Sequence, residues 1–293
     1  MLLRHRPIVI AEIGCNHMGD LELAKKIINE AKHFSGADVV KFQKRTPKEL
    51  LTEEEYNSPH PVPDNSYGET YGAHREFLEF DGDQHKELKK YCDDLGIGYS
   101  TSVWDVTAAK EILPLEPAFL KIPSACNTDY ELLHFLANNF KGELHISLGM
   151  TTRAEEERLI TFLESEKIIN RTIIYSCTSG YPVPFNEVYL LEIKRLKESY
   201  GDRVKAVGFS GHHLGIAADI AAISLGAEYI ERHFTLDRTW KGTDHAASLE
   251  PMGMRKLVRD VKAVYEALRH REEEISAIEV AQRKKLKRIK ERK

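Results

Sequence analysis

Eight short apolar, β-branched runs recur between residue 7 and about residue 269, each separated from the next by a longer amphipathic segment. This alternation constrains the chain more than any other feature, because strands that alternate with helices pair in parallel within one sheet. The runs lie at 7–14, 37–43, 97–102, 119–124, 144–149, 172–178, 206–210 and 229–235. Between them, segments such as LELAKKIINEAKHF repeat apolar residues at three- and four-residue spacing, here behind Asp20 as an N-cap. A doubly wound sheet usually stops at five or six strands, whereas eight βα units in roughly 260 residues match a TIM barrel. The expectation is an α/β fold, one (β/α)8 TIM barrel over residues 1–270.

Two stretches depart from the repeat. Residues 44–82 carry Pro47, Pro59, Pro61, Pro63 and Gly68, and a connection of that length inside a compact domain is commonly functional. It is expected to cover the active site. Residues 271–293 form a charged tail in which RKKLKRIKERK, from Arg283, follows Glu272, Glu273 and Glu274; it reads as a solvated helix.

Composition narrows the class of partner. With 42% hydrophobic and 30% charged residues the chain is globular, and a formal charge of -4 offers no basic footprint for nucleic acid or an anionic membrane. Small-molecule chemistry is the expected class. Cys15, Cys92, Cys126 and Cys177 are scattered without a CxxC pair, which fits a reducing, cytoplasmic setting better than a disulfide framework. The N-terminal apolar run is too short for a signal peptide, and no stretch of about 18 apolar residues occurs.

TIM-barrel active sites form at the C-terminal ends of the strands. Polar residues stand at nearly all of them: Glu12, with Asn16 and His17 beyond it, Lys41 and Gln43, Ser100 to Ser102, Lys121 and Ser124, Ser147, Ser176, Thr178 and Ser179, Ser210 and His212, Glu231 and His233. Two lysines and several hydroxyls converging on one barrel mouth make a cradle for phosphate or carboxylate oxygens. Lys121 alone could equally serve as a Schiff-base nucleophile, since burial lowers an amine pKa, and spacing leaves both roles open. His212 and His233 end consecutive strands, where neutral imidazoles can hold one divalent metal with positions left for water and substrate. His213 faces away, because neighbouring strand residues point to opposite sides. Neither G-x-x-x-x-G-K-[ST] nor G-x-G-x-x-G occurs, so ATP and NAD are not indicated. Cys126 and Cys177 have no histidine partner in sequence and read as inert.

These residues lie in segments that resemble the sialic acid synthase family: IAEIGCNHMGDLELAK, VVKFQK, TYGAHREFLEF, FLKIPSA, SLGM, CTSGYP, GFSGHHLGIA and LGAEYIERHFTLDRTWKGTDHAASLEP. The resemblance spans about residues 7–270. It implies a transferase that condenses phosphoenolpyruvate with N-acetylmannosamine or its 6-phosphate. His212 and His233 would be the manganese or magnesium ligands, and Lys41, Thr101, Lys121, Ser124 and Ser210 the phosphoenolpyruvate contacts, which removes the Schiff-base role. Glu12, Gln43, Tyr181 and Asp244 match positions that bind or orient the sugar, and Ser147 and Ser179 further lining positions. TYGAHREFLEF, Ser179 and TWKGTDHAASLEP look more like the branch that takes the phosphorylated sugar, with His74, Arg75 and Lys241 as candidates for its phosphate. By the same resemblance the protein is a homodimer. Two departures bear on the sugar: typical members carry an acidic residue where Cys126 stands, and the sequence ends where they continue into an antifreeze-like domain. A synthase for another aldose, such as mannose 6-phosphate or a diamino sugar, and a non-catalytic anion-binding barrel are the alternative readings.

Overall fold

A computed structural model of the chain describes residues 5–288. Eight parallel strands close into a barrel in strict sequence order: β1 Ile8–Gly14, β2 Val39–Lys44, β3 Gly98–Val103, β4 Phe119–Ile122, β5 Glu143–Ser147, β6 Thr172–Cys177, β7 Ala206–Gly211 and β8 Tyr229–His233. The ring closes where β1 pairs with β8, Glu12 lying opposite His233. The strands are buried on both faces, which is why they read as nearly continuous apolar runs. The first helix, Leu21–Asn29, starts as its pattern predicts, with the Asp20 side chain accepting from the amides of Glu22 and Leu23.

The outer faces of the strands pack with the surrounding helices in one large apolar cluster. The inner faces change character along each strand. At the N-terminal end, Ile10, Val39, Phe119, Ile173, Tyr175, Ala206 and Tyr229 fill the barrel as a second cluster, with the His145 ring stacked on Phe119 at 3.7 Å. Gly208 is required there, since a Cβ at that position would come within 2.5 Å of the Tyr175 ring. Two residues further along, the inward positions become Glu12, Lys41, Lys121, Ser210 and Glu231, all buried. The alternation of side chains along a strand therefore delivers an apolar floor and a polar mouth.

The connection after β2 is not structureless: it carries helices Pro47–Leu50, Glu53–Asn57 and Tyr71–Leu78. The tail forms the helix Ala277–Leu286, which buries no side chain, and the end of its basic run lies outside the described residues. Among the described residues no helix is long and apolar enough to cross a membrane.

Candidate active site

A cavity of about 300 Å³ opens at the C-terminal mouth of the barrel. Of the residues singled out from sequence, Glu12, Lys41, Gln43, Lys121, Ser124, Ser147, Ser179, Tyr181, Ser210, His212 and His233 line it. The Lys121 ammonium sits over the Tyr175 ring at 3.9 Å.

Two lysines and two carboxylates occupy the base of this cavity. Glu231 receives Lys121 at 2.9 and 3.0 Å, accepts a hydrogen bond from the Ser210 hydroxyl at 3.0 Å, and lies 3.7 Å from Lys41. Lys41 in turn meets Glu12 at 2.5 Å and donates to the Ser102 hydroxyl at 2.9 Å. The Gln43 amide donates to the other Glu12 oxygen at 3.0 Å. The two acids are driven apart. Burial pushes the Glu12 carboxyl up to about 7; Lys41 opposes this, and the charge of Glu231 adds to it. Burial acts on Glu231 in the same direction, but Lys121 and Lys41 outweigh it and hold that carboxyl well below its usual range. One acid is thus permanently ionised and the other is poised near neutrality, beside lysines that complement an incoming anion.

His212 and His233 face each other with ring centroids 5.4 Å apart and Tyr181 against both, at 4.3 and 5.8 Å. His212 Nδ1 lies 2.9 Å from the Thr178 carbonyl, which makes that nitrogen the N–H donor and leaves the lone pair on Nε2. Burial holds the His233 imidazole down to about 4, so it is neutral; its Nδ1 has no hydrogen-bond partner among the described residues and lies 3.8 Å from Asp244. Two neutral-capable imidazoles with Asp244 at the rim suit a divalent cation. The described residues contain no cluster of three or more His, Cys, Asp and Glu side chains that would enclose one alone.

Several expectations are redistributed. Thr101 does not line the cavity: it pairs in register with Phe42 on the outer face, and its neighbour Ser102 occupies the inward position against Lys41. A one-residue shift along a strand reverses the face. The three residues expected to take a second phosphate gather around two rings: His74 stacks on Tyr67 and Tyr71, Arg75 lies over Tyr71 and Lys241 over Tyr67. His74 is buried among His60, Tyr67 and Tyr71, its Nδ1 accepting from the Tyr67 amide. Lys241 is exposed and lies over the Tyr67 ring at 4.9 Å. Arg75 also lines a cavity that adjoins the central one. Cys177 has a histidine neighbour after all: burial raises its thiol, but His212 and Lys121 outweigh burial and bring it below its ordinary value. Trp104 and the role of Glu231 were missed, and no local signal marks either; Ser102 was among the strand-end hydroxyls, and strand parity singles it out over Thr101.

The NeuB family model matches residues 27–273. The chain belongs to the NeuB family. It is 37% identical over 285 residues to the N-acetylneuraminate-9-phosphate synthase of Homo sapiens, covering 97% of this chain and 77% of the relative. It is 35% identical over 265 residues to the N,N'-diacetyllegionaminic acid synthase of Campylobacter jejuni, covering 90% and 78%. Its fold superposes on the crystal structure of N-acetylneuraminic acid synthetase from Leptospira borgpetersenii, a citrate complex, with a TM-score of 0.80 at 29% identity, covering 97% of this chain and 94% of that one. This NeuB-family chain is accordingly a transferase of the sialic acid synthase type.

Proposed function

We propose that the protein condenses phosphoenolpyruvate with an N-acylmannosamine or its 6-phosphate, giving a sialic-acid-type nonulosonate, or its 9-phosphate, and inorganic phosphate. The observation that carries this reading is the buried Lys41–Lys121 pair beside an ionised and a near-neutral carboxyl, within reach of two imidazoles. Phosphoenolpyruvate is a small trianion, and two ammonium groups with the Ser124 and Ser210 hydroxyls complement its phosphate and carboxylate. Citrate in the Leptospira relative is likewise a compact polyanion.

Carbon–carbon bond formation requires C3 of phosphoenolpyruvate to attack the aldehyde carbon of the open-chain sugar. Water then adds at C2, and cleavage of the C2–O bond releases phosphate. Lys41 and Lys121 hold the anion and offset the charge that moves onto the departing phosphate. Glu12, kept near neutrality by burial and aimed by Gln43, can supply a proton to the former aldehyde oxygen as it becomes a hydroxyl.

His212 and His233 would hold a divalent cation. Burial disfavours a charged His212, but Cys177 and the Thr178 carbonyl outweigh it and raise its pKa, so a cation there would compete with a proton. Manganese or magnesium, if held by these imidazoles, would supply Lewis-acid polarisation of the aldehyde oxygen. Tyr181 orients the pair by packing on both rings.

The test is phosphate release from phosphoenolpyruvate with manganese, comparing N-acetylmannosamine, its 6-phosphate, mannose 6-phosphate and no sugar. Sugar-dependent release is expected. Binding of phosphoenolpyruvate without release in any mixture would replace this reading with a non-catalytic anion-binding barrel.

A further inference from the structure

The apolar layer that fills the N-terminal end of the barrel carries polar atoms that neither the fold nor the anion cradle accounts for. Tyr175, Tyr229 and His145 are buried there, and Glu143 opens β5 beside them. A buried hydroxyl or imidazole costs stability unless its partners are in place, so several of them in an apolar layer call for a reason.

The four side chains form one string. The Tyr175 hydroxyl lies 2.7 Å from His145 Nδ1, and the other ring nitrogen, Nε2, faces a Glu143 oxygen at 3.7 Å. His145 and Lys205 outweigh burial and hold the Glu143 carboxyl down to about 2, so it is an anion that can accept but not donate. That carboxylate favours the imidazole proton on Nε2 and leaves Nδ1 to accept from the Tyr175 hydroxyl. Burial keeps the imidazole neutral, with its pKa pushed down to about 4. Glu143 also accepts from the Tyr229 hydroxyl at 3.1 Å and pairs with Lys205. The string runs from a partly exposed carboxylate to a fully buried phenol.

Packing fixes the same rings. His145 lies flat on Phe119, Tyr229 stands edge-on to His145 at 5.0 Å, and Gly208 leaves no space beside the Tyr175 edge for even a Cβ.

What this assembly holds still is the ring face against which the Lys121 ammonium rests, 3.9 Å from its centroid. Burial works against that ammonium and lowers its pKa; Glu231 opposes burial, and the charge of Lys41 adds to it. A second carboxylate would steady the ammonium but cancel the positive charge that an anionic ligand needs. An aromatic face attracts a cation through its quadrupole, carries no net charge, and gains strength where water is excluded. A phenol that donates its proton to an imidazole backed by a carboxylate keeps more electron density on that face.

We infer that Tyr175 is a positioning residue for the anion cradle: its ring face holds the Lys121 ammonium where phosphoenolpyruvate meets it, and His145 with Glu143 fixes that ring from the far side. The inference rests on the reading of Lys121 as a contact of the anion, proposed above.

The experiment measures calorimetric binding of phosphoenolpyruvate, with manganese, to the wild type, Tyr175→Phe, Tyr175→3,4,5-trifluorophenylalanine, Tyr175→Leu, His145→Leu and Lys121→Ala, with unfolding midpoints as the check on folding. Fluorines withdraw density from the ring face and leave its outline nearly unchanged, so that variant separates electrostatic holding from packing. Tyr175→Phe should bind within about threefold of the wild type, whereas the trifluoro ring and Tyr175→Leu should each weaken binding about fivefold or more. In the Lys121→Ala background the same ring changes should have no further effect. Steady-state kinetics should place the loss in KM for phosphoenolpyruvate and leave KM for the sugar unchanged. His145→Leu should weaken binding about threefold, and no further when combined with Tyr175→Phe.

Equal affinities for the phenyl and trifluorophenyl variants, or ring effects that persist without Lys121, would overturn the positioning role. Wild-type affinity in His145→Leu would remove His145 and Glu143 from it. Wild-type affinity in Lys121→Ala would instead sink the reading of Lys121 as an anion contact, and this inference with it. A Lys121→Ala protein that binds weakly while every ring variant binds normally would keep the cradle and discard Tyr175.

Discussion

Lys121 on β4 and Glu231 on β8 stand half the ring apart in the eight-strand barrel, and their charged groups meet across it at 2.9 Å. Both are almost completely buried. With Ser210 and Lys41 as further partners, Glu231 is the counter-charge that lets two ammonium groups remain in one dry cavity before any substrate arrives.

Replacing Glu231 with Gln keeps the shape and the contact with Ser210 but leaves the lysines without their carboxylate. Breaking a buried pair from one side costs about 3 kcal/mol or more. Urea unfolding of metal-free protein should show this loss, and saturating phosphate should recover part of it by occupying the lysines. An unchanged unfolding midpoint would mean that Glu231 does not hold the pair.

Gly149 ends the β5 turn beside the cavity, and its amide donates to the Ser124 hydroxyl at 3.0 Å. A methyl group in Gly149→Ala would lie 2.4 Å from the Ser179 hydroxyl and 2.7 Å from that of Ser124. Both hydroxyls must shift, so kcat/KM for phosphoenolpyruvate should fall roughly 10- to 100-fold. Steady-state kinetics decide the matter, and wild-type kinetics would take Ser124 out of the anion cradle.

His233→Ala removes one of the two imidazoles proposed to hold the cation. Manganese retained after dialysis, read by elemental analysis, should drop sharply relative to the wild type, and turnover should be lost with it. Full retention of manganese by the variant would move the cation elsewhere.

The pH dependence of stability reports on Glu12. Its carboxyl rises from 4.5 to about 7 on folding, chiefly through burial. The folded state thus favours the protonated form, so the contribution is fully present below about pH 4.5 and is lost as pH rises through 7. At about 1.4 kcal/mol per pH unit the loss is about 3 kcal/mol. In metal-free protein the wild type should lose this stability relative to Glu12→Gln between pH 5 and 8. Parallel curves for the two proteins would show that Glu12 ionises normally.

The barrel was legible because its signal is local and repeated. Each strand announces itself by a short apolar run, and the errors are confined to ends: β4 stops at Ile122 because Pro123 cannot continue the ladder, and β8 stops at His233 because Phe234 turns to bridge Leu249. The mouth was legible for a related reason, since polar residues at strand ends have no role in an apolar core. Thr101 shows the resolution of that reasoning: the strand was placed correctly and the facing residue was missed by one.

What sequence alone determined is therefore the repeat, its closure into eight units and the inventory of charged and hydroxyl side chains gathered at one end, all of which follow from periodicity and burial along short stretches. The tertiary structure decided which charges answer one another. Lys121 and Glu231 are 110 residues apart, and only ring closure makes them partners and shifts the two acids in opposite directions. It also decided that His74 is buried among the rings of His60, Tyr67 and Tyr71 while Arg75 lines a cavity beside the mouth. Coulomb energies and desolvation depend on distances through space, and a linear order of residues does not contain them.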